Sequence, residues 1–345
     1  MRPLTVVVTA SGAPGTAALL RALRENGERE VRLVGTDMSE RSAGRHLCDA
    51  FHLVPAGSDP SFAAAIRELA EREGADAILP QSSFDLEALA AAVDLFDGVA
   101  VLVSPPEAIR RSNDKAETYA LLHSLGLPAP EFRRVRGAAE VEAAARELGY
   151  PERPVCFKPV FSSGSRGFRI LDSTVDRADQ LLRERPGSVS MLLEDAIEIL
   201  ASVDDRTELL VMELATGLER TIDGIANGRE IVLGHPKTRE AMRAGLAMFF
   251  VTLDDGALME LANTIVAELG IEHFFNIQLV GDLVIEINPR ISTIVYQEDL
   301  NLPYLGLRRA VGETSDDELR ALRPRIRPGR TALRFFDQLE FDRER

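Results

Sequence analysis

Residues 283–290 read LVIEINPR, and four of the first five are aliphatic. That is the texture of a buried β-strand, yet Glu286 and Asn288 interrupt it, and Pro289 and Arg290 close it. Residues i and i+2 of a strand project to one face, so the carboxylate and the carboxamide enter the same space. A buried carboxylate requires a cation or well-aimed donors. Just upstream, HFFNIQLV (273–280) supplies a partner strand, with a turn near Gly281 and Asp282. Gln278 can sit across from Glu286 only if the loop holds an odd number of residues or a bulge shifts the register. An unbroken ladder on a two-residue turn would set Gln278 opposite Ile285.

Working outward, LTVVVT (4–9), VRLVGTD (31–37), DAILP (76–80) and VAVLVS (99–104) read as strands. Between them lie segments of helical spacing at 17–26, 61–73 and 84–95. Such alternation predicts a parallel sheet with right-handed crossovers, a Rossmann-like unit ending near Pro105-Pro106. A short and a longer helix follow, stopped by Gly126 and Pro128, and then a helix over 138–148. PVCFKPVFSSGSRGFRIL (154–171) reads as strand, glycine-rich loop, strand, with a helix over 175–185. ELLVMEL (208–214), ERTIDGIA (219–226) and REIVLGH (229–235) read as antiparallel strands, with a hairpin signal at Asn227-Gly228. After a strand at 246–253 and a helix at 255–269 comes the opening hairpin, then a helix at 302–312 and a last strand, TALRFF. The expected class is α/β followed by α+β.

The length of 345 residues implies more than one core. No apolar run approaches the roughly 18 residues of a membrane span. MRPLTVVVTASG reads as a first strand and not as a signal peptide. Cys48 and Cys156 form no CxxC pair, which predicts a reducing, cytoplasmic setting. A net charge of −15 argues against nucleic acid as the main partner but leaves room for a small anion in a locally positive pocket. Lysine usage is the most informative feature. Of 40 basic residues only Lys115, Lys158 and Lys237 are lysine, so 37 are arginine. A lysine that survives such a bias marks a place where a compact ammonium is wanted and a planar guanidinium is not.

Gly12, Gly15 and Asp37 hint at a dinucleotide site, but G-x-G-x-x-G is absent, and a tight strand-to-helix turn is the preferred reading. No lysine follows a glycine, which excludes a Walker P-loop, and zincin, zinc-ribbon and hydrolase-elbow motifs are absent as well. In KPVFSSGSRGF (158–168), Gly164 and Gly167 can turn backbone N–H groups toward an anion, Ser162, Ser163 and Ser165 add hydroxyls, and Lys158 leads in. An ordinary hairpin loop has the same composition. Asp85 fits an acid in the first turn of a helix, and the C-terminal end of its parallel strand is where open α/β sheets commonly bind ligands.

NDK (113–115), FKPVFSSGSRGF (157–168), VMELATGLERTID (211–223), FNIQLV (275–280) and IEINPR (285–290) together decide the matter. In that order they resemble the ATP-grasp superfamily. The likeness is greatest to the nucleotide-binding half of the carbamoyl-phosphate synthetase large chain and its smaller relatives, and covers about residues 1–312. The resemblance implies a Rossmann-like domain at 1–105, an ATP-grasp domain at 106–312 with a small lid-bearing subdomain near 130–212, and an extension at 313–345. It implies a cleft between two α+β subdomains that closes over ATP. Lys115 and Lys158 would meet phosphates, and loop 162–167 would be the lid. Met212, Glu213, Leu214 and Ala215 would form the adenine-side hinge, and Glu219 would hold the ribose. Gln278, Glu286 and Asn288 would ligate two Mg²⁺ ions, with Mn²⁺ as a substitute, through the oxygen donors a hard cation prefers. Arg290 would hold an anionic substrate or acyl-phosphate. Lys237, with His235, would meet the γ-phosphate or substrate; the competing reading of His235-Pro236-Lys237 is a surface turn. Ser292, Thr293, Tyr296 and Gln297 would line the acceptor pocket.

The expected activity is ATP-dependent joining of a small carboxylate to an amine through an acyl-phosphate. The alternatives are a bicarbonate-using enzyme that forms carboxyphosphate, an ATP-grasp kinase and a non-catalytic ATP-binding module. The chain holds neither a glutaminase domain nor a second synthetase half. The expected partners are small molecules, not nucleic acid or membrane, and a homodimer is compatible with this reading.

Overall fold

The apolar run at the N-terminus folds as expected. In the computed structural model, which describes residues 1–161, 166–184, 187–202, 207–243, 246–291, 300–335 and 338–341, strands and helices alternate. They are β1 (Leu4–Val8), α1 (Thr16–Arg24), β2 (Val31–Asp37), α2 (Gly44–Leu47), β3 (Ala50–Leu53), α3 (Phe62–Glu73), β4 (Ala77–Leu79), α4 (Ser83–Ala91) and β5 (Ala100–Val101). The strands are all parallel, in the order β3-β2-β1-β4-β5. Both faces are apolar because helices cover both. Leu4, Val6 and Val8 pack with Leu19, Leu20 and Leu23 of α1, while Val7 packs with Phe62, Ile66 and Leu69 of α3. The sequence reading missed β3, a half-exposed strand, AFHL, with neither alternation nor an apolar run.

Two compact units divide the chain. Met1–Arg110, Glu219–Gln278 and Ile287–Arg345 make the first, and Arg111–Leu218 with Leu279–Glu286 the second. After α5 (Pro106–Asn113), the second unit holds α6 (Lys115–Ser124), β6 (Phe132–Arg136), α7 (Gly137–Glu147), β7 (Val155–Pro159), β8 (Arg169–Leu171), α8 (Arg177–Leu182), β9 (Ser190–Met191), α9 (Leu193–Leu200) and β10 (Glu208–Glu213). Its sheet runs β6-β10-β7-β8-β9, with β10 antiparallel to both neighbours. Val141, Ala144 and Ala145 of α7 and Leu193 and Ala196 of α9 pack on Val155, Phe157 and Val211 to form its core.

The chain then adds β11 (Glu219–Asn227), β12 (Ile231–Thr238), β13 (Phe249–Val251), α10 (Gly256–Leu269), β14 (Glu272–Val280), β15 (Leu283–Asn288), α11 (Leu302–Ala310), α12 (Asp316–Arg320) and β16 (Thr331–Leu333). A four-stranded sheet runs β12-β11-β14-β15, and β13 pairs with β16. Pro236 lies inside β12, which is tolerable because β12 is an edge strand and one of its sides needs no ladder donor. His235-Pro236-Lys237 is therefore not a surface turn, since every residue of β12 is buried.

Candidate active site

The glycine-and-acid pair of the first loop closes on itself. Gly12 N donates to Asp37 Oδ2 at 2.9 Å, so the carboxylate is engaged in the turn. Asp85 is also local: Ser82 caps α4 by accepting from Asp85 N, and the Asp85 carboxylate accepts from Thr9 Oγ1 at 2.5 Å.

The second unit gathers Lys115, Lys158 and Glu286. Asp114 caps α6 by accepting from Ala116 N and Glu117 N, which puts Lys115 at the first helical position, only 8% exposed. A cation there opposes the helix dipole and has lost most of its water. Burial lowers its pKa, while Glu286 and then Asp114 raise it. Lys158 stands on β7 opposite Leu210 of β10. Burial, and after it the neighbouring Lys115 ammonium, push its pKa down to about 8, against the pull of Glu286. Among the described residues no carboxylate lies within ion-pair distance of Lys158. Its ammonium donates to Tyr119 Oη at 3.2 Å and lies 5.5 Å from that ring's centroid.

In the same unit, Met212 is buried at the end of β10, and Glu213, Leu214 and Ala215 are half-buried. Glu213 N donates to Glu131 O at 2.9 Å, and its carboxylate accepts from Glu131 N at 3.3 Å. Gly167 has φ +74°, and a Cβ there would meet Pro159 Cδ at 2.6 Å, so this end of the loop requires glycine. Ser162, Ser163, Gly164 and Ser165, like Ser292, Thr293, Tyr296 and Gln297, lie outside the described residues.

The first unit holds a row of polar groups on β11, β12, β14 and β15. Lys237 is wholly buried, with Nζ 2.5 Å from Asp223 Oδ2 and 5.1 Å from the Phe250 ring centroid. Asp223 Oδ1 accepts from Asn276 Nδ2 at 2.8 Å, and Asn276 Nδ2 also donates to Thr221 Oγ1. Asn276 Oδ1 accepts from Gln278 Nε2 at 2.9 Å and from Asn288 Nδ2 at 3.4 Å. Arg239 Nη1 donates to Gln278 Oε1 and lies 2.7 Å from Glu219 Oε1, so one guanidinium holds the residues expected at the metal and at the ribose. His235 faces Asp223 across the ladder, and burial, then Lys237, lower its pKa to about 4, which keeps it neutral. Arg290 is half-buried and donates to Ile291 O at 3.2 Å.

These contacts bear on the hairpin. Only Gly281 and Asp282 separate β14 from β15. An unbroken ladder on that turn would put Asn276 opposite Ile287 and send Asn288 to the other face. The Asn288–Asn276 hydrogen bond joins two residues that such a ladder would set on opposite faces. The turn itself needs its glycine: Gly281 has φ +55°, and a Cβ would meet Thr216 O at 2.4 Å.

The sequence reading missed Asn276, Asp223 and Tyr119. Asn276 and Gln278 repeat the i, i+2 polar pair of Glu286 and Asn288, so the argument applied to LVIEINPR also covers FNIQLV. Among the described residues no three His, Cys, Asp or Glu side chains converge as a metal site. The predicted set, two amides and one carboxylate, is an all-oxygen set suited to Mg²⁺. Asn276 Oδ1 fits it, because it takes the N–H₂ ends of Gln278 and Asn288 and turns their carbonyl ends away. The Gln278 carbonyl that accepts from Arg239 would have to release it to bind a metal.

Residues 205–328 match the family described as "ATP-grasp in the biosynthetic pathway with Ter operon". The carbamoyl phosphate synthase large chain of Corynebacterium glutamicum is 30% identical over 235 residues, 64% of this chain and 20% of that protein. The chain thus spans about a fifth of the length of that relative. The L-amino acid ligase of Bacillus licheniformis superposes with a TM-score of 0.65 at 16% identity, over 96% of this chain and 79% of that one. The biotin carboxylase domain of Hydrogenobacter thermophilus 2-oxoglutarate carboxylase, solved with MgADP and bicarbonate, superposes with a TM-score of 0.61 at 20% identity, over 90% and 70%. In fold the chain resembles the ATP-grasp enzymes, and its residues 205–328 carry an ATP-grasp family match. Its sequence likeness runs to the carbamoyl phosphate synthase large chain.

Proposed function

We propose that the protein is an ADP-forming ligase that uses ATP and Mg²⁺ to phosphorylate a small carboxylate, and that an amine then displaces phosphate from the acyl-phosphate to give an amide. The observation that carries this reading is the lysine cluster. Two ammonium groups are drawn out of water beside one another in the field of Glu286, and Lys158 meets a phenol where a carboxylate would neutralise it, an arrangement favoured around a polyphosphate. Lys115 and Lys158 bind phosphates, Met212–Ala215 offer backbone to the adenine edge, and Glu219 takes the ribose hydroxyls. Gln278, Glu286 and Asn288 hold Mg²⁺, which neutralises charge on the transferring phosphoryl group. Loop 162–167 excludes water from the acyl-phosphate, and Arg290 holds the anionic substrate. Lys237, sealed in an ion pair with Asp223, acts through Asp223 and Asn276 on the orientation of the metal amides. The solved amino acid ligase of this fold favours an amino acid as one of the substrates.

A second reading, phosphorylation of bicarbonate, draws on the likeness to carbamoyl phosphate synthase and on the bicarbonate-bound carboxylase of the same fold. An ADP-release screen of carboxylates paired with amines, run with and without bicarbonate, separates the two. ADP together with an amide supports the ligase. Turnover that depends on bicarbonate alone supports the second reading, and a stable phosphate ester or ATP binding without turnover removes both. Glu286→Gln should abolish turnover with the unfolding temperature nearly unchanged; global unfolding would make Glu286 a structural residue.

A further inference from the structure

Tyr119 lies on α6 and is completely buried. A buried phenol needs partners for its hydroxyl, and this one has two of different kinds. Tyr119 Oη donates to the Ile285 carbonyl at 2.7 Å and accepts from Lys158 Nζ at 3.2 Å. Ile285 directly precedes Glu286 on β15. One oxygen atom therefore joins the ammonium on β7 to the backbone that presents the carboxylate. All of these residues belong to the second unit.

The choice of group is informative. A carboxylate at this position would also hold Lys158, but it would neutralise the ammonium and compete with any incoming anion. A phenol accepts a hydrogen bond and leaves the positive charge intact. Burial raises the Tyr119 pKa, with Glu286 adding to the shift, so the hydroxyl stays neutral. The Tyr119 ring is itself held edge-on by Phe132, with centroids 5.7 Å apart.

We propose that Tyr119 is a positioning residue that fixes the Lys158 ammonium relative to the Glu286 strand without neutralising it, so that both meet a nucleotide polyphosphate at a set spacing. This inference rests on the ATP-binding reading above and names a residue that the family resemblance did not supply.

Tyr119→Phe keeps the ring and removes the oxygen. Affinity for Mg·ATP, measured by calorimetry, should weaken about tenfold, the size expected for one lost hydrogen bond to a charged group. The unfolding temperature should move little. In a Lys158→Met background the same substitution should add no further loss, because the group it positions is gone. Unchanged affinity in Tyr119→Phe, or losses that add in the double variant, would overturn the proposal and leave Tyr119 a packing residue. Failure of the wild-type protein to bind ATP would remove the functional reading. The contact would then be decided by acylating the protein with an N-hydroxysuccinimide ester and following the Lys158 peptide by mass spectrometry. Faster labelling in Tyr119→Phe than in wild type supports the contact, and equal rates refute it.

Discussion

Lys237 and Lys158 are both drawn away from water, one in each unit, and their surroundings are opposites. Lys237 is wholly enclosed and meets a carboxylate at 2.5 Å. Lys158 is half-buried and rests on a neutral phenol beside another ammonium. The first is a completed ion pair that belongs to the folded state. The second rests on a neutral partner, and under the proposed function its counter-ion is the nucleotide. Burial alone does not separate a structural cation from a binding cation; the charge of its nearest partner does.

The largest test of this contrast is Lys237→Met. It leaves Asp223 buried without its cation and should lower unfolding free energy by about 3–5 kcal/mol in a denaturant titration. Adding Asp223→Leu should restore much of that loss. Unchanged stability in Lys237→Met would show that the pair is dispensable to the fold.

Next comes His235, beside that pair. Its pKa lies near 4 in the folded chain, below its ordinary 6.5, because burial and then Lys237 disfavour the charged ring. Between those two values the unfolded chain binds a proton that the folded chain does not. Stability from this group is therefore complete above pH 6.5 and lost as pH falls through about 4. The amount is about 3 kcal/mol. His235→Gln should flatten that part of the pH–stability curve, and an unaltered curve would mean that the ring is not held neutral.

Lys158→Met should act the other way round. Stability should hold or rise slightly, since a desolvated charge is removed, while ATP affinity falls about ten- to a hundredfold. Lys158→Arg should also impair binding although the charge is kept, because the planar fork differs from a compact ammonium. Wild-type affinity in Lys158→Arg would sink the argument from lysine scarcity. The smallest effect is a pH trend. As the Lys158 ammonium titrates near pH 8, ATP affinity should decline above that pH in wild type and not in Lys158→Met.

Much of this was legible in the sequence. The β–α alternation predicts the parallel sheet that the fold shows, and NDK, FKPVF and IEINPR single out Lys115, Lys158 and Glu286, which lie in one unit and feel one another's charge. Contacts between residues far apart in the chain were not legible. Tyr119 lies 166 positions from Ile285, and nothing in ETYALL distinguishes it from a core aromatic. Asp223 falls in a segment that reads as a strand, and Lys237 reads as a ligand contact or a surface turn; their ion pair emerges only when β11 and β12 pair and bury both. Strands β3 and β6 escaped notice because they are short and half-exposed, so burial imposes no clear pattern on them. Hairpin parity could not follow from loop length alone, because a shift in register reverses it.

The burial of the lysines has one more consequence. Lys237 is enclosed, Lys115 nearly so, and Lys158 half-buried, so no lysine amine stands fully on the surface, where arginine carries the positive charge. Acetylation or ubiquitin-type tagging directed at lysine finds no fully exposed lysine amine on this chain. A mark on a lysine would have to land on the buried ion pair at Lys237 or on the ammonium groups that the proposed function assigns to the nucleotide, Lys115 and Lys158.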